Sequence, residues 1–321
     1  MQVQWLYPMQ SYIIKRILGA IPVMFVVVVF VFSLLRLAPG DPAVVVAGDY
    51  AKPEDIIRIR QKLGLDKPIH EQFVIWMGQI LRGDLGTSIF TGLPVAQLIK
   101  QRLEPTLSLC IFTLIISTGL AIPLGILAAW KAGTWIDRGT MVFSVLGFSL
   151  PVFWLGFLLM YFFSIQLSIL PVQGYARLSE GFIPFIKHLI LPSLALGMIY
   201  TALLARMTRA SMLEVLKEDY IRTAFAKGVK PGLVLMRHAF KNASLPVATI
   251  IGTGFALLLG GAVVTESVFA IPGLGRLTVD AILHRDYPVI QGVILFTSSI
   301  YVFINLLVDL SYVFLDPRIR Y

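Results

Sequence analysis

The chain has 321 residues, of which 57% are hydrophobic and only 14% are charged. Soluble domains carry about 25% charged residues, and a soluble core stops growing near about 250–300 residues, so this composition excludes a soluble enzyme and a disordered chain. The mean hydropathy of +0.82 and the net charge of +9 predict an all-α polytopic membrane protein whose basic residues mark topology rather than nucleic-acid binding. Cys110 is the only cysteine and the four histidines are scattered, so we expect no disulfide, metal site or cofactor on this chain.

The sequence contains six apolar runs that are long enough to cross a bilayer as helices. They are residues 17–35, 107–130, 139–165, 189–205, 245–265 and 289–308. A secretory signal peptide is the competing interpretation of the first run, but its length and the sequence that follows it favour an uncleaved anchor. Six transmembrane helices place both termini on the same side of the membrane.

The charges of the loops predict which side that is. The segment 206–244 carries eight basic residues against three acidic ones. Lys15 and Arg16 at the N-terminus lie on the same side, whereas the long loop on the opposite side is near neutral. By the positive-inside rule, both termini and the 206–244 segment face the cytoplasm.

The segment 39–105 is too long for a simple connector and predicts a small helical extracytoplasmic lobe between spans 1 and 2. We expect helices from Pro53, Pro68 and Pro94, since proline is favoured in a first turn, and the first two end at Gly64 and Gly83, where glycine forms a left-handed cap. Apolar stripes at helical spacing run along these helices: Ile56, Ile59 and Leu63, and then Phe73, Trp76, Met77 and Ile80. The stripes either only pack the lobe against the membrane domain, or leave an outer surface that docks a partner.

The segment 206–244 predicts two short helices that meet at a corner. Ser211 and Glu214 match a capping box that starts the first helix. Gly228 and Pro231 end it, and the second helix begins at Pro231. Small residues near the corner would let another surface approach closely: Thr223, Ala224, Ala226 and Gly228. The alternative is an ordinary connection whose charges are solvated.

The apolar runs contain no Asp, Glu, Lys, Arg or His, and Glu266 and Asp309 lie at run ends. Proton-driven carriers use ionisable groups near the bilayer midplane, so this pattern argues against one. Sodium coupling stays open, because backbone carbonyls and hydroxyls can bind Na⁺. The chain also lacks a Gly-x-x-x-x-Gly-Lys-Ser/Thr phosphate loop, so a translocator built on it would take its energy from another subunit.

Two further motifs are open to a catalytic interpretation. The Pro-Gly-Leu-Gly-Arg sequence at 272–276 could cradle a phosphate, but it lies on the outer side, where nucleotide is scarce, so a tight turn is favoured. Ser149 could be an intramembrane protease nucleophile. No histidine base lies within a span, however, and the neighbouring Pro151 more simply breaks the third helix.

A set of motifs recurs in order along nearly the whole chain. These are Arg-Leu-Ala-Pro-Gly-Asp-Pro at 36–42, Leu-Gly-Leu-Asp-Lys-Pro at 63–68 with Gln72 and Trp76, Gly-Asp-Leu-Gly-x-Ser at 83–88, Pro94-Val95, Glu-Asp-Tyr-Ile-Arg-Thr-Ala-x-Ala-Lys-Gly at 218–228, Pro-Gly-Leu-Gly-Arg at 272–276, Asp-Tyr-Pro at 286–288 with Gln291-Gly292, and Asp-Pro-Arg at 316–318. Together they resemble the inner-membrane permease subunits of dipeptide, oligopeptide and nickel ABC importers. The chain has Arg222-Thr223-Ala224 where that family's cytoplasmic loop is often Glu-Ala-Ala, and it keeps the glycine at Gly228.

The resemblance implies a non-catalytic transport subunit in the cell (inner) membrane. It implies that a second homologous permease completes the pore and that two ATPase subunits hydrolyse ATP with Mg²⁺ beneath it. An extracytoplasmic binding protein would deliver a di- or oligopeptide or a related small solute. The expected ATPase-coupling residues are Glu218, Asp219, Arg222, Thr223, Ala224 and Gly228, and the expected binding-protein contacts are Asp66, Gln72, Trp76 and Asp84.

The same interpretation divides the chain into an N-terminal segment with the first span (1–38), the lobe (39–105) and a five-helix permease core (106–321). Because the spans are uncharged, substrate selectivity is expected to lie mainly in the binding protein. The alternatives are a self-sufficient secondary carrier of the same six-span shape, which needs no ATPase, and a membrane scaffold without transport activity.

Overall fold

The computed structural model describes residues 6–37, 43–44, 52–62 and 64–315, and no strand occurs among them. The predicted motifs at 38–42 and 316–318 and the stripe residue Leu63 lie outside the described residues, as do the side chains of Arg36 and Ile59. The helices are α1 (Leu6–Leu37), α2 (Pro53–Lys62), α3 (Ile69–Leu81), α4 (Val95–Trp130), α5 (Trp135–Ser149), α6 (Val152–Leu159), α7 (Phe182–Val215), α8 (Asp219–Ala226), α9 (Lys241–Val268), α10 (Leu274–Leu283) and α11 (Tyr287–Leu315). The π-helical segment Met160–Gln166 extends α6, and Pro231–Leu233 with Val234–Phe240 leads into α9.

Five of the described helices are long and apolar enough to cross a membrane, and the pair α5–α6 adds a sixth if it is counted as one span. The prediction of an all-α polytopic membrane protein is thus confirmed. The predicted run 139–165 is divided between α5 and α6, which bend by 107° at the break. Leu150 is extended there (φ −87°, ψ 125°) because proline disfavours the helical conformation in the residue before it. Ser149, considered above as a nucleophile, donates its hydroxyl to the Val145 carbonyl at 2.9 Å.

The predicted boundaries of the first two lobe helices are confirmed. Helix α2 begins at Pro53, and α3 begins directly after Pro68. Both helices are followed by a glycine with positive φ, +66° at Gly64 and +80° at Gly83. Such a left-handed conformation is costly for a residue with a Cβ atom, so glycine sets the end of each helix.

The helix predicted from Pro94 begins where it was expected, since α4 starts at Val95. It is longer than predicted, because α4 continues through Pro105 into the second span, 36 residues in all. One predicted helix start is wrong. The capping box at Ser211 does not begin a helix, because α7 continues through this residue to Val215 and buries it. The buried face of α7 extends to Met212, so tertiary packing overrides the local capping signal.

The chain folds into two compact units. The core unit comprises Met1–Met9, Glu104–Arg276 and Ile304–Tyr321, and the lobe unit comprises Gln10–Leu103 and Leu277–Phe303. The division of the sequence at 38 and 105 into domains stays a prediction.

Within the core unit, α7 is the central helix and packs against α5, α6 and α9. Its buried face includes small residues that allow close approach. A Cβ atom at Gly197 would collide with the Ser117 hydroxyl of α4, which donates to the Gly197 carbonyl at 3.2 Å. Larger side chains such as Leu189 and Leu204 fill the rest of this core. The core unit therefore places the ends of α4, α5 and α7 close together, next to the segment that was predicted to couple to an ATPase.

Candidate functional site

The predicted coupling residues lie on α8 and at its end. Glu218 is extended (φ −66°, ψ 145°) and immediately precedes the helix, and Asp219 lies in the first turn, where a carboxylate interacts favourably with the helix dipole. The helix ends at Ala226, and Gly228, two residues further on, has φ +74° and donates its N–H to the Phe225 carbonyl at 2.9 Å. Val229 then donates to the Ala224 carbonyl at 3.2 Å, which completes a glycine-terminated helix end.

Helix α8 has one buried and one exposed face. Ile221 is 1% exposed and Ala224 is also buried, whereas Asp219, Arg222 and Thr223 are exposed. Glu218 and Gly228 are exposed as well. The structure thus brings the predicted coupling residues together on one short helix, five of them on its solvent-facing side and Ala224 on its buried side.

The buried face of α8 is held by residues from four other helical segments. The cluster around Ile221 and Ala224 comprises Ile126 and Ala129 from the end of α4, Met212 from α7, Val234, Leu235 and Ala239 from the segment before α9, and Ala243 from α9. We call this set the α8 cluster. Since close-packed apolar contacts resist deformation, the α8 cluster joins α8 firmly to the ends of these helices.

The exposed face of α8 combines aromatic and charged side chains. Tyr220 and Phe225 are both exposed, and the Tyr220 hydroxyl accepts a hydrogen bond from Asn242 Nδ2 at 2.7 Å. Arg222 forms an ion pair with Asp219 at 3.3 Å. Aromatic residues and arginine are enriched in the centres of protein–protein interfaces, so this face has the composition of a docking surface.

The sequence analysis did not predict the partners of two carboxylates that are buried in the described part of the core unit. Asp137, at the start of α5, is 5% exposed and binds the guanidinium of Arg209 on α7 through both carboxylate oxygens, at 2.5 and 2.8 Å. Glu266, near the end of α9, is fully buried. The sequence carried no signal that would pair these residues with their partners, since the partners are 72 and 160 residues away along the chain.

Glu266 organises the tight turn at 272–276. Its carboxylate accepts hydrogen bonds from the Thr106 hydroxyl at 2.6 Å and from the backbone N–H of Arg276, in the first turn of α10, at 2.9 Å. The Thr106 hydroxyl oxygen in turn accepts from the Leu274 N–H at 2.8 Å. A Cβ atom at Gly273 would collide with the Glu266 carboxylate, so the glycine of this motif makes room for a buried side chain and not for a phosphate.

The predicted binding-protein contacts lie in the lobe unit, where Gln72, Trp76 and Asp84 line a single cavity of about 410 Å³. The Gln72 side-chain amide donates to the Lys67 carbonyl at 2.7 Å, and Asp84 accepts from the Gly86 N–H at 2.9 Å, so both side chains also fix the local backbone. The fourth predicted contact, Asp66, is not among the lining residues, although its two neighbours are. The cavity also contains residues from the start of α11, which the sequence analysis did not assign to this surface: Tyr287, Pro288 and Gln291.

A nearby network anchors the loop that leads into α4. Asp286 is buried and accepts hydrogen bonds from the Ser88 hydroxyl at 2.5 Å and from the Ile89 N–H at 3.1 Å. Ser88 and Asp286 belong to two of the motifs noted in the sequence, so these motifs meet in space. The mixed polar and aromatic lining of the cavity is therefore held by a rigid support.

Comparison with known proteins assigns the chain to a family. Residues 121–321 match the family described as "Binding-protein-dependent transport system inner membrane component", and residues 9–110 match the N-terminal region described for such membrane components. The chain is 53% identical to a probable peptide ABC transporter permease protein of Sinorhizobium fredii over 313 residues, which cover 98% of this chain and 100% of the relative. It is 47% identical to a glutathione transport system permease protein of Pectobacterium atrosepticum and 41% identical to a dipeptide transport system permease protein of Alkalihalophilus pseudofirmus, again over 98% of this chain and 100% of each relative. The chain therefore belongs to the family of inner membrane components of binding-protein-dependent transport systems.

Proposed function

We propose that this chain is one of two homologous permease subunits that form the translocation pore of an ABC importer for peptides. The observation that carries the proposal is the division of α8 into an exposed aromatic and charged face and a buried face held by the α8 cluster. This division is what a helix needs if it is to receive force from a separate motor subunit and to pass it to spanning helices. The family membership and the relatives named as permeases support the same function.

In this proposal the termini and α8 face the cytoplasm, as the positive charge of the 206–244 segment indicates. Two ATPase subunits dock beneath the pair of permeases, and the contact of this chain with an ATPase is the exposed side of α8, through Glu218, Asp219, Arg222, Thr223 and Gly228. Closure of the ATPase dimer on ATP and Mg²⁺ pushes α8, and Ile221 and Ala224 transmit the displacement to the ends of α4 and α7 as a rigid-body movement. ATP hydrolysis belongs to the partner subunits, and this chain contributes the pathway through the bilayer.

On the outer side, the cavity of the lobe unit is the proposed contact for the extracytoplasmic binding protein. Gln72, Trp76 and Asp84 offer an amide, an indole and a carboxylate at one concave surface. A mixed polar and aromatic surface of this kind suits a protein partner that must bind and release in each cycle. The substrate class follows from the relatives, whose names specify peptide, dipeptide and glutathione transport.

The test is reconstitution of this chain with its partner permease, two ATPase subunits and binding protein in liposomes that contain ATP and Mg²⁺. We expect accumulation of radiolabelled dialanine that requires ATP, the binding protein and this chain together. Uptake by this chain alone, driven by a sodium gradient without ATP, would support a secondary carrier instead. Stable assembly of the complex without solute flux would support a scaffold.

A further inference from the structure

The part-buried ion pair between Asp137 and Arg209 joins α5, the first helix of the bent pair α5–α6, to α7, which leads into α8. Both carboxylate oxygens of Asp137 bind the guanidinium, and Oδ2 also accepts the backbone N–H of Gly133 at 2.9 Å. The Arg209 side chain is only 25% exposed. This bidentate arrangement fixes the orientation of α5 against α7 more strictly than apolar packing would, because both hydrogen bonds require one relative position of the two helices.

Arg209 lies in a turn of α7 that contacts several other elements. Its neighbour Thr208 lies so close to α4 that a Cβ atom at Gly125 would be 2.5 Å from the Thr208 Cβ. Three residues further along, Met212 belongs to the α8 cluster. The same turn of α7 therefore touches α4 through Thr208, α5 through Arg209 and the α8 cluster through Met212.

Stability alone does not account for a buried ion pair at this place. The desolvation of two charges offsets much of their attraction, and well-packed apolar residues at such sites are often equally stabilising. What an ion pair adds is specificity of position. Its location between α5 and α7, one turn from the α8 cluster, indicates that the relative position of these two helices matters.

We propose that Asp137 and Arg209 are positioning residues. They make α5 move together with α7 when the ATPase subunits displace α8. The inference rests on the function proposed above and adds an onward link from α7 to α5, since no residue of α5 belongs to the α8 cluster. Neither residue is assigned a contact with solute or ATPase. Their effect is on the efficiency with which ATP hydrolysis is converted into transport.

The experiment uses the complete importer in liposomes and measures the amount of dialanine transported per ATP hydrolysed. Asp137→Asn keeps the shape of the side chain and removes its charge, and Asp137→Asn with Arg209→Gln removes both charges, so that no unpaired ion stays buried. We expect both variants to assemble and to hydrolyse ATP, with at least a tenfold lower ratio of transport to hydrolysis. The matched control is Arg138→Gln, which removes an adjacent exposed charge and should leave the ratio unchanged.

A second readout follows the helices directly. Spin labels at position 135 on α5 and position 214 on α7, both exposed, report the distance between the two helices in the nucleotide-free and ATP-trapped complexes. We expect one narrow distance distribution in both states of the wild-type protein and a broadened distribution in the ATP-trapped Asp137→Asn complex.

The outcomes separate the two proposals. A wild-type ratio of transport to hydrolysis in the double variant would overturn the positioning role, even if Asp137→Asn alone failed to assemble, since that failure would then come from the unpaired charge of Arg209. Absence of ATP-dependent uptake by the wild-type importer would overturn the proposed function, and the positioning role with it. Wild-type uptake together with normal coupling in both variants would overturn the positioning role alone.

Discussion

Two carboxylates are buried among the described residues of the core unit, and they are stabilised in different ways. Asp137 is paired with the guanidinium of Arg209, a side chain on another long helix. Glu266 accepts from the hydroxyl of Thr106 and from the backbone N–H of Arg276 in the tight turn before α10. The first carboxylate lies near the ends of α5 and α7 that adjoin α8, and the second lies near the opposite ends of α4 and α9.

The difference indicates which end of the core unit is built to transmit movement. The link between α5 and α7 is made by two side chains, since the backbone N–H of Gly133 that Asp137 also binds lies in the turn before α5 itself. Such a link can hold the two helices in register as they move. A carboxylate that binds the backbone of a turn, with Gly273 packed against it, fixes that turn to the helix which carries it. We therefore expect changes near α8 to affect coupling, and changes near Glu266 to affect the stability of the fold.

Gly228 gives the largest expected effect at the coupling end. Its φ of +74° disfavours any side chain by about 1–2 kcal/mol, but no atom lies within 4 Å of the position that its Cβ would occupy. The space beside Gly228 is therefore open to a partner. Gly228→Trp should reach the membrane and abolish ATP-dependent uptake, because the indole would occupy the surface that the ATPase contacts.

The control for this prediction is Gly228→Ala, which carries the same backbone strain without the bulk. It should retain most of the uptake in the same liposome assay. Normal transport by Gly228→Trp would remove residue 228 from the coupling surface, and equal loss in both variants would assign the effect to backbone strain.

Gly273→Ala should give the largest loss of stability at the end of the core unit that contains Glu266. The added methyl group would displace the Glu266 carboxylate from its buried hydrogen bonds, and hydrogen bonds to charged groups contribute about 1.5–3 kcal/mol each. We expect the free energy of unfolding to fall by about 3 kcal/mol, measured by thermal unfolding of the purified chain in detergent. Gly232→Ala is the control. No atom lies within 4 Å of the added Cβ, and alanine is favoured over glycine in a helix by about 0.5–1 kcal/mol, so the free energy of unfolding should not fall.

The collision also predicts an interaction between two mutations. In a Glu266→Ala background, Gly273→Ala should lower the free energy of unfolding much less than it does in the wild-type chain, because the methyl group no longer meets a carboxylate. Strictly additive losses would show that the glycine is required for the conformation of the turn and not for the space that Glu266 occupies.

The contrast between local and long-range features explains what the sequence predicted. The spanning runs, the start of α2 at Pro53 and the glycine ends of the lobe helices follow from neighbouring residues, and the structure confirms them. The capping box at Ser211 failed because the packing of α7 continues through it. The pairing of Asp137 with Arg209 could not be predicted from neighbouring residues, because it depends on how helices far apart in the chain pack together.

The candidate site shows the same contrast. The residues of α8 could be named from one contiguous motif, but its division into faces requires the α8 cluster, to which four separate segments contribute. Gln72, Trp76 and Asp84 were named from neighbouring motifs of the lobe, whereas Tyr287 and Gln291 join their cavity from about 200 residues further along the chain.

Ile221→Ala tests the buried face of α8. Replacing a buried isoleucine with alanine typically costs about 2–5 kcal/mol, and here the cavity would lie between α8 and the ends of α4 and α7. We expect the backbone amides of Asp219–Ala226 to exchange hydrogen at least ~30-fold faster, which corresponds to about 2 kcal/mol, measured by mass spectrometry of the chain in nanodiscs. Thr223→Ala on the exposed face should change the exchange less than threefold, and similar acceleration in both variants would contradict the division into two faces.

Arg222→Gln has the smallest expected effect on stability and compares an exposed ion pair with the buried one. The side chains of Arg222 and Asp219 are 76% and 95% exposed, and exposed pairs of this kind contribute about 0–1 kcal/mol, because water already solvates both charges. The thermal unfolding of the purified chain should therefore be nearly unchanged. If Arg222 contacts the ATPase, the same substitution should still reduce co-purification of the ATPase subunits, and the loss should grow with salt concentration in the wash. A clear loss of stability would show that Arg222 supports α8 itself, and the exposed pair would then resemble Asp137 and Arg209 in holding the fold rather than in presenting a charge to a partner.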